Sequence, residues 1–214
     1  MKTRNLFAAA LGALAIAGLA TVATVNAGPE HNHASTPAAT VGQTAPNFTL
    51  TDTDGKTINL ADYKGKTVVL EWFNPGCPFV VRHYTEKTML NTYNEFKDQG
   101  VVWIAINSGA PGKEGAGLEL NKKMKAEWNI PYPVALDESG DVGHLYGAKT
   151  TPHMFIINKD GVLAYAGGID NDPSGKNTDS TNYVETALRQ VLAGETVTEP
   201  TTKAYGCGVK YATK

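Results

Sequence analysis

Thr67-Val68-Val69-Leu70-Glu71-Trp72-Phe73 runs into Asn74-Pro75-Gly76-Cys77-Pro78, and the reading of this join decides the fold. The first seven residues form a nearly unbroken apolar run with one charge in it, as expected of a central strand covered on both faces. Asn74-Pro75-Gly76 ends the run. From Cys77 to about Asp98, the residues Phe79, Val80, His83, Tyr84, Met89, Leu90, Tyr93 and Phe96 recur at helical spacing, and Gly100 supplies a stop. Residues 101–107, Val-Val-Trp-Ile-Ala-Ile-Asn, read as a second buried strand. A strand–helix–strand unit of this kind places its two strands parallel.

Downstream, a Gly-rich loop over 108–117 leads to a helix at 118–128, a third strand at 132–136 and a short helix at 139–146. Residues 154–158 and 162–166 flank Lys159-Asp160-Gly161, which makes them an antiparallel hairpin. A polar loop and a last amphipathic helix over 181–193 follow. Upstream, 47–51 alternate like a strand, and Asp54-Gly55 turns the chain into a second short strand at 56–60. The pattern predicts an α/β fold: a central mixed β-sheet flanked by helices, with an N-terminal β-hairpin.

The ends of the chain carry other information. Lys2 and Arg4 precede an apolar Ala/Leu-rich run from Leu6 to about Ala20, with small residues around Ala27, which is the pattern of a secretory signal peptide over 1–27. The apolar run has about 15 residues, short of the roughly 20 that a spanning helix needs. Residues 28–44 read as a flexible leader, 45–194 as the folded domain and 195–214 as a tail carrying Cys207. The expected location is periplasmic or extracellular, with no membrane attachment after cleavage. Two of the 19 basic residues lie in the leader and no acidic ones do, so 17 basic face 21 acidic residues in the mature chain. A net charge of −4 argues against a nucleic-acid partner. Two cysteines, Cys77 and Cys207, are too few for a disulfide scaffold or a four-thiolate zinc site. They are one structural bridge or a reactive pair, and no metal or cofactor is expected.

The order of elements, with a hairpin entered through Thr151-Pro152, resembles the thioredoxin fold. Ala45-Pro46-Asn47-Phe48 with Asp54-Gly55-Lys56, and Tyr63-Lys64-Gly65-Lys66 followed by the buried strand and Asn74-Pro75-Gly76-Cys77-Pro78, are similar to the redoxin and alkyl-hydroperoxide-reductase (AhpC/TSA) branch of that superfamily. The resemblance implies a thiol-dependent oxidoreductase acting on protein or small-molecule thiols and disulfides, recharged by an external thiol reductant. The alternatives are a peroxiredoxin-type, antioxidant thiol peroxidase and a non-catalytic binding module.

The residues support redox chemistry at Cys77. A sulfur at the start of a helix faces unpaired backbone N–H groups and the positive end of the helix dipole, which stabilises a thiolate. Val80 stands where thioredoxin-like oxidoreductases usually place a second cysteine, so a local disulfide is impossible. Cys207 is the remaining intramolecular partner, 130 residues away. The peroxidase branch usually has Thr or Ser three residues before its cysteine and Pro four residues earlier; here Asn74 and Leu70 stand there. Glu71 occupies the place of the buried carboxylate of thioredoxins, where a raised pKa suits proton transfer. Pro152 resembles the cis-proline beside the active cysteine, with Thr151 offering its backbone to a substrate strand. The site expected is therefore Cys77, Cys207 and Glu71 for catalysis, with Thr151, Pro152, Pro78 and Asn74 contacting substrate.

Overall fold

The computed structural model describes residues 39–213; the expected signal peptide and most of the leader lie outside the described residues. A seven-stranded mixed sheet carries the domain. Its strands are β1 (Thr49–Asp52), β2 (Thr57–Asn59), β3 (Thr67–Trp72), β4 (Val101–Asn107), β5 (Val134–Leu136), β7 (His153–Ile157) and β8 (Leu163–Gly167), in the order β2-β1-β5-β4-β3-β7-β8. Strand β3 pairs parallel with β4 and antiparallel with β7, so every one of its six residues is buried. That position explains its apolar sequence, since a strand with neighbours on both edges and helices on both faces has no solvent side.

Alternation along β3 divides the core. Val69 and Phe73 point to one face, with Trp103, Met154 and Ile156, against α1 (Pro78–Thr85), α2 (Thr88–Phe96) and α5 (Tyr183–Leu192). Val68, Leu70 and Trp72 point to the other, with Ile104, Ile106 and Phe155, against Tyr146 of α4 (Asp141–Tyr146) and Phe48. Each fully buried Val, Leu or Phe contributes about 1.5–3 kcal/mol relative to exposure.

Two expectations are corrected. The helix read over 77–98 is two helices, broken at Glu86-Lys87, where Lys87 takes a left-handed φ of 63°. No Gly or Pro marks the break. A non-Gly residue in that region is held by its surroundings, here by α2 packing on α5, where Asn182 Nδ2 donates to Thr92 Oγ1 at 2.8 Å. The leader does not run to 44, because Ala39 N–H donates to Leu145 O (2.9 Å), Gly42 N–H to Leu163 O (2.8 Å), and Thr44 bridges Val162. The tail beyond 194 is ordered. It runs back along the domain, bridges Ala166 at Thr201, and ends in a second small sheet in which β9 (Cys207–Gly208) pairs antiparallel with β6 (Thr150–Thr151).

Candidate active site

Strand β3 delivers the chain to one end of the sheet, Asn74-Pro75-Gly76 turns it, and Cys77 becomes the N-cap of α1, with Pro78 as the first helical residue. Proline suits that place because its missing N–H would have had no helical partner. The Asn74 side chain shapes the turn: its Oδ1 accepts from Gly76 N (2.8 Å), and its Nδ2 donates to Glu114 O (3.2 Å). Cys77 has no exposed surface, and its thiol donates to Thr151 O at 3.0 Å. The Thr151–Pro152 peptide bond is cis, as the resemblance implied.

The tail closes over this point. Cys207 stands opposite Thr151, whose carbonyl the Cys77 thiol engages, and so lies close enough for each sulfur to act on the other's ionisation. Both cysteines are free. Burial acts to raise the Cys77 pKa. It is outweighed by the donors that would serve an ionised sulfur, first the Cys207 thiol, then the Thr151 hydroxyl and the backbone N–H groups of Val80 and Cys207, which together hold Cys77 below the usual thiol range. The Thr151 hydroxyl is buried with no other partner, so it is free to turn to an ionised sulfur. Cys207 moves the other way, pushed up to about 11 by burial first and then by its hydrogen bond to Cys77 and their mutual repulsion. Ionisation of the pair therefore falls on Cys77, with Cys207 as the proton-bearing donor.

Gly206 is what lets the tail come this close. With φ +136°, its position is left-handed, and a Cβ there would lie 2.1 Å from Thr151 O. Any other residue would push the strand away.

Glu71 points from β3 to the same face of the sheet as Cys77. It is fully buried, accepting from Tyr84 Oη (2.9 and 3.1 Å), Trp103 Nε1 (2.9 Å) and Tyr132 Oη (3.3 Å). Burial raises its pKa to about 7 against the lowering effect of those three donors. No hydrogen bond joins the carboxyl group to either sulfur; Tyr84 lies seven residues along α1 from Cys77, a rise of about 10 Å. His153 faces away: its ring packs on Phe155, and burial lowers its pKa to about 4.

The residue set is thus a nucleophile-like thiol, a second thiol above it, a strand-pairing backbone at Thr150-Thr151, and a protonatable acid buried beneath. Residues 41–166 match the model of the AhpC/TSA family. The chain belongs to the AhpC/TSA family. Among curated relatives, the thiol-disulfide oxidoreductase ResA of Bacillus subtilis (strain 168) is 36% identical over 120 residues, 56% of this chain and 63% of that protein. ResA of Geobacillus thermodenitrificans (strain NG80-2) is 34% identical over 125 residues, 58% and 67%. The match therefore spans about two thirds of these relatives. Among solved structures, an uncharacterised conserved protein of Geobacillus kaustophilus superposes with a TM-score of 0.73 at 30% identity, covering 82% of this chain and 94% of that one. A thioredoxin domain of a thiol-disulfide oxidoreductase from Bacteroides vulgatus gives 0.51 at 26%, covering 60% and 89%. The fold is thioredoxin-like, as the order of elements predicted.

Sequence reasoning did not single out Arg82, Asp170 or Tyr205, and gave His83 only a place in the helical spacing. These four meet at the tail: Tyr205 Oη accepts from Arg82 Nη2 (3.1 Å), lies 3.0 Å from His83 Nε2 and donates to Asp170 Oδ1. An aromatic residue two positions before the tail cysteine was the available signal.

Proposed function

We propose that this chain is an exported thiol-disulfide oxidoreductase that cycles Cys77 and Cys207 between a dithiol and an intramolecular disulfide. The observation that carries the reading is the pairing of Cys207 with Thr151, which sets its thiol against the buried, acidified Cys77. In the forward direction the Cys77 thiolate attacks one sulfur of a substrate disulfide, forming a mixed disulfide and releasing one substrate thiolate. Cys207 then loses its proton and attacks Cys77 Sγ, releasing the second substrate thiolate and leaving the Cys77–Cys207 bond. Two electrons pass to the substrate, and an external thiol reductant returns them.

Each residue has a task in this cycle. Helix α1 and the Val80 N–H stabilise the Cys77 thiolate. Thr150-Thr151, before Pro152, is the edge to which an extended substrate strand binds when the tail strand lifts. Pro78 and Asn74 shape the rim of the turn beside the sulfur. Glu71, near its midpoint at neutral pH, takes up or returns a proton as the sulfurs change charge. Export rests on the residues 1–27 pattern.

One observation favours a second reading, thiol peroxidase: with the tail docked Cys77 has no exposed surface, and a small peroxide needs a smaller opening to reach it than a protein disulfide does. Against it, the Asn74 amide is engaged with Glu114 O. Reduced protein is to be given insulin with a thiol reductant, and separately hydrogen peroxide with mass spectrometry of Cys77. Insulin reduction faster than by the reductant alone is expected. Rapid Cys77 sulfenylation without insulin turnover would transfer the assignment to the peroxidase.

A further inference from the structure

Tyr205 stands two residues before Cys207, and its surroundings do more than fix a tail. Its ring lies 5.8 Å from Phe79 and 5.9 Å below the Arg82 guanidinium. Its hydroxyl is shared by Arg82, His83 and Asp170. Phe79, Arg82 and His83 all belong to α1, the helix whose first turn carries Cys77. One helix therefore holds both cysteines, Cys77 directly and Cys207 through Tyr205. Two residue steps span at most about 7 Å, so with the hydroxyl seated the Cys207 backbone is confined to a small region above the sulfur of Cys77.

The seat is made for a neutral phenol. His83 is fully buried, and burial holds its pKa near 4, so it is uncharged at neutral pH. Burial and Asp170 keep Tyr205 un-ionised. The hydroxyl accepts from Arg82 while donating to Asp170, and Arg82 Nη2 has Asp172 O (2.9 Å) as its other oxygen partner. Arg82 Nε and Nη1 and His83 Nδ1 are buried without hydrogen-bond partners, so loss of the phenol oxygen leaves the cluster further undersatisfied.

The tail has other anchors, and they lie elsewhere. Thr202 Oγ1 accepts from Gly168 N at 3.0 Å, and Tyr211 stacks on His144 (4.0 Å between centroids) and donates to Ala148 O at 2.8 Å. Neither touches α1. We propose that Tyr205 is the positioning residue of the redox pair, its hydroxyl seated among Arg82, His83 and Asp170 so that Cys207 is held against Cys77. This rests on the reading of Cys77 and Cys207 as the redox couple.

The test uses the equilibrium in which oxidised glutathione and the protein dithiol give the Cys77–Cys207 disulfide and two reduced glutathiones. Its constant, an effective molarity of one thiol for the other, is measured in glutathione buffers by acid quenching, alkylation and mass spectrometry. Tyr205→Phe keeps the ring and removes the hydroxyl. A fall of at least tenfold is expected, about 30 mV in the potential of a two-electron couple. Asp170→Asn should act in the same direction. Tyr211→Phe, which loosens the same tail away from α1, should stay within twofold of wild type. Tyr205→Phe within twofold of wild type, or Tyr211→Phe falling as far, would overturn the proposal. If wild type forms no Cys77–Cys207 bond, it is the functional reading that fails.

Discussion

Cys77 and Cys207 carry the same group in opposite settings. Cys77 is built into the core, at the end of a fully buried strand and the start of a helix, and its backbone N–H and C=O are both spent, on Asn74 O (3.0 Å) and Val81 N (2.9 Å). Cys207 is half-buried on a two-residue strand held to the domain by its pairing with β6 and by side chains spaced along the tail, at Thr202, Tyr205 and Tyr211. The first setting fixes a sulfur and lowers its pKa; the second holds a sulfur in place through a strand of two residues. In the proposed couple, lifting the short tail strand would open the nucleophile to substrate and redocking would close it, which two cysteines on one helix turn achieve by other means. Local stability need not be uniform for this, and the elements that move come from its weaker end.

The sharpest way to break the comparison is to remove each thiol. Cys77→Ser should lower disulfide turnover by at least about a thousandfold, since no other group replaces the nucleophile. Cys207→Ser should still attack, then stall with one substrate thiol bound per chain, which intact-mass measurement reads directly. Equal behaviour of the two variants would erase the distinction between them.

Gly206→Ala tests the tail alone. The new Cβ would meet Thr151 O, so the strand must shift. Cys207 should react with N-ethylmaleimide about tenfold faster and the intramolecular bond should form correspondingly less, while the domain, whose core is untouched, keeps its thermal midpoint. Overpacking of this kind costs about 1–3 kcal/mol, enough to undock a short strand and too little to unfold the sheet.

Glu71→Gln is expected to act on the pH dependence. The folded pKa of Glu71 lies above its unfolded value, so the stability that goes with its protonated form is fully present below about 4.5 and is lost as pH rises through about 7. A shift of that size corresponds to roughly 3 kcal/mol. The glutamine variant should flatten the fall in stability between pH 5 and 8 and remove the matching step from the pH–rate profile. His83 and His153 have the opposite sign: lowered to about 4, they destabilise the fold as pH drops from 6.5 toward 4. That acid limb should survive in Glu71→Gln.

What was legible from sequence follows the same division. Strands β3 and β4 were readable because burial on both faces leaves no choice of residue, and 101–107 matches β4 at both ends. Cys77 was readable because an apolar strand, a Pro-Gly turn and Cys-Pro mark a helix start. Alternation placed Glu71 in line with Val69 and Phe73, but its three donors come from α1, β4 and the approach to β5, which only the fold brings together. The tail strand was opaque. Two paired residues in Gly-Cys-Gly have no periodicity, and the tail's anchors are single side chains whose partners lie up to 123 positions away. The helix break at Lys87 was opaque for the same reason, set by packing without a Gly or Pro to announce it.

The proposed redox couple joins Cys77 to Cys207 within one chain. Oxidation of the reduced protein with a slight excess of diamide, followed by blocking of free thiols and non-reducing peptide mapping, measures it. The expected result is a monomeric product 2 Da lighter, with no blocked cysteine and a single linked pair of peptides carrying Cys77 and Cys207. A product in which Cys207 is blocked as a free thiol, or in which the cysteines are joined only between chains, would contradict it.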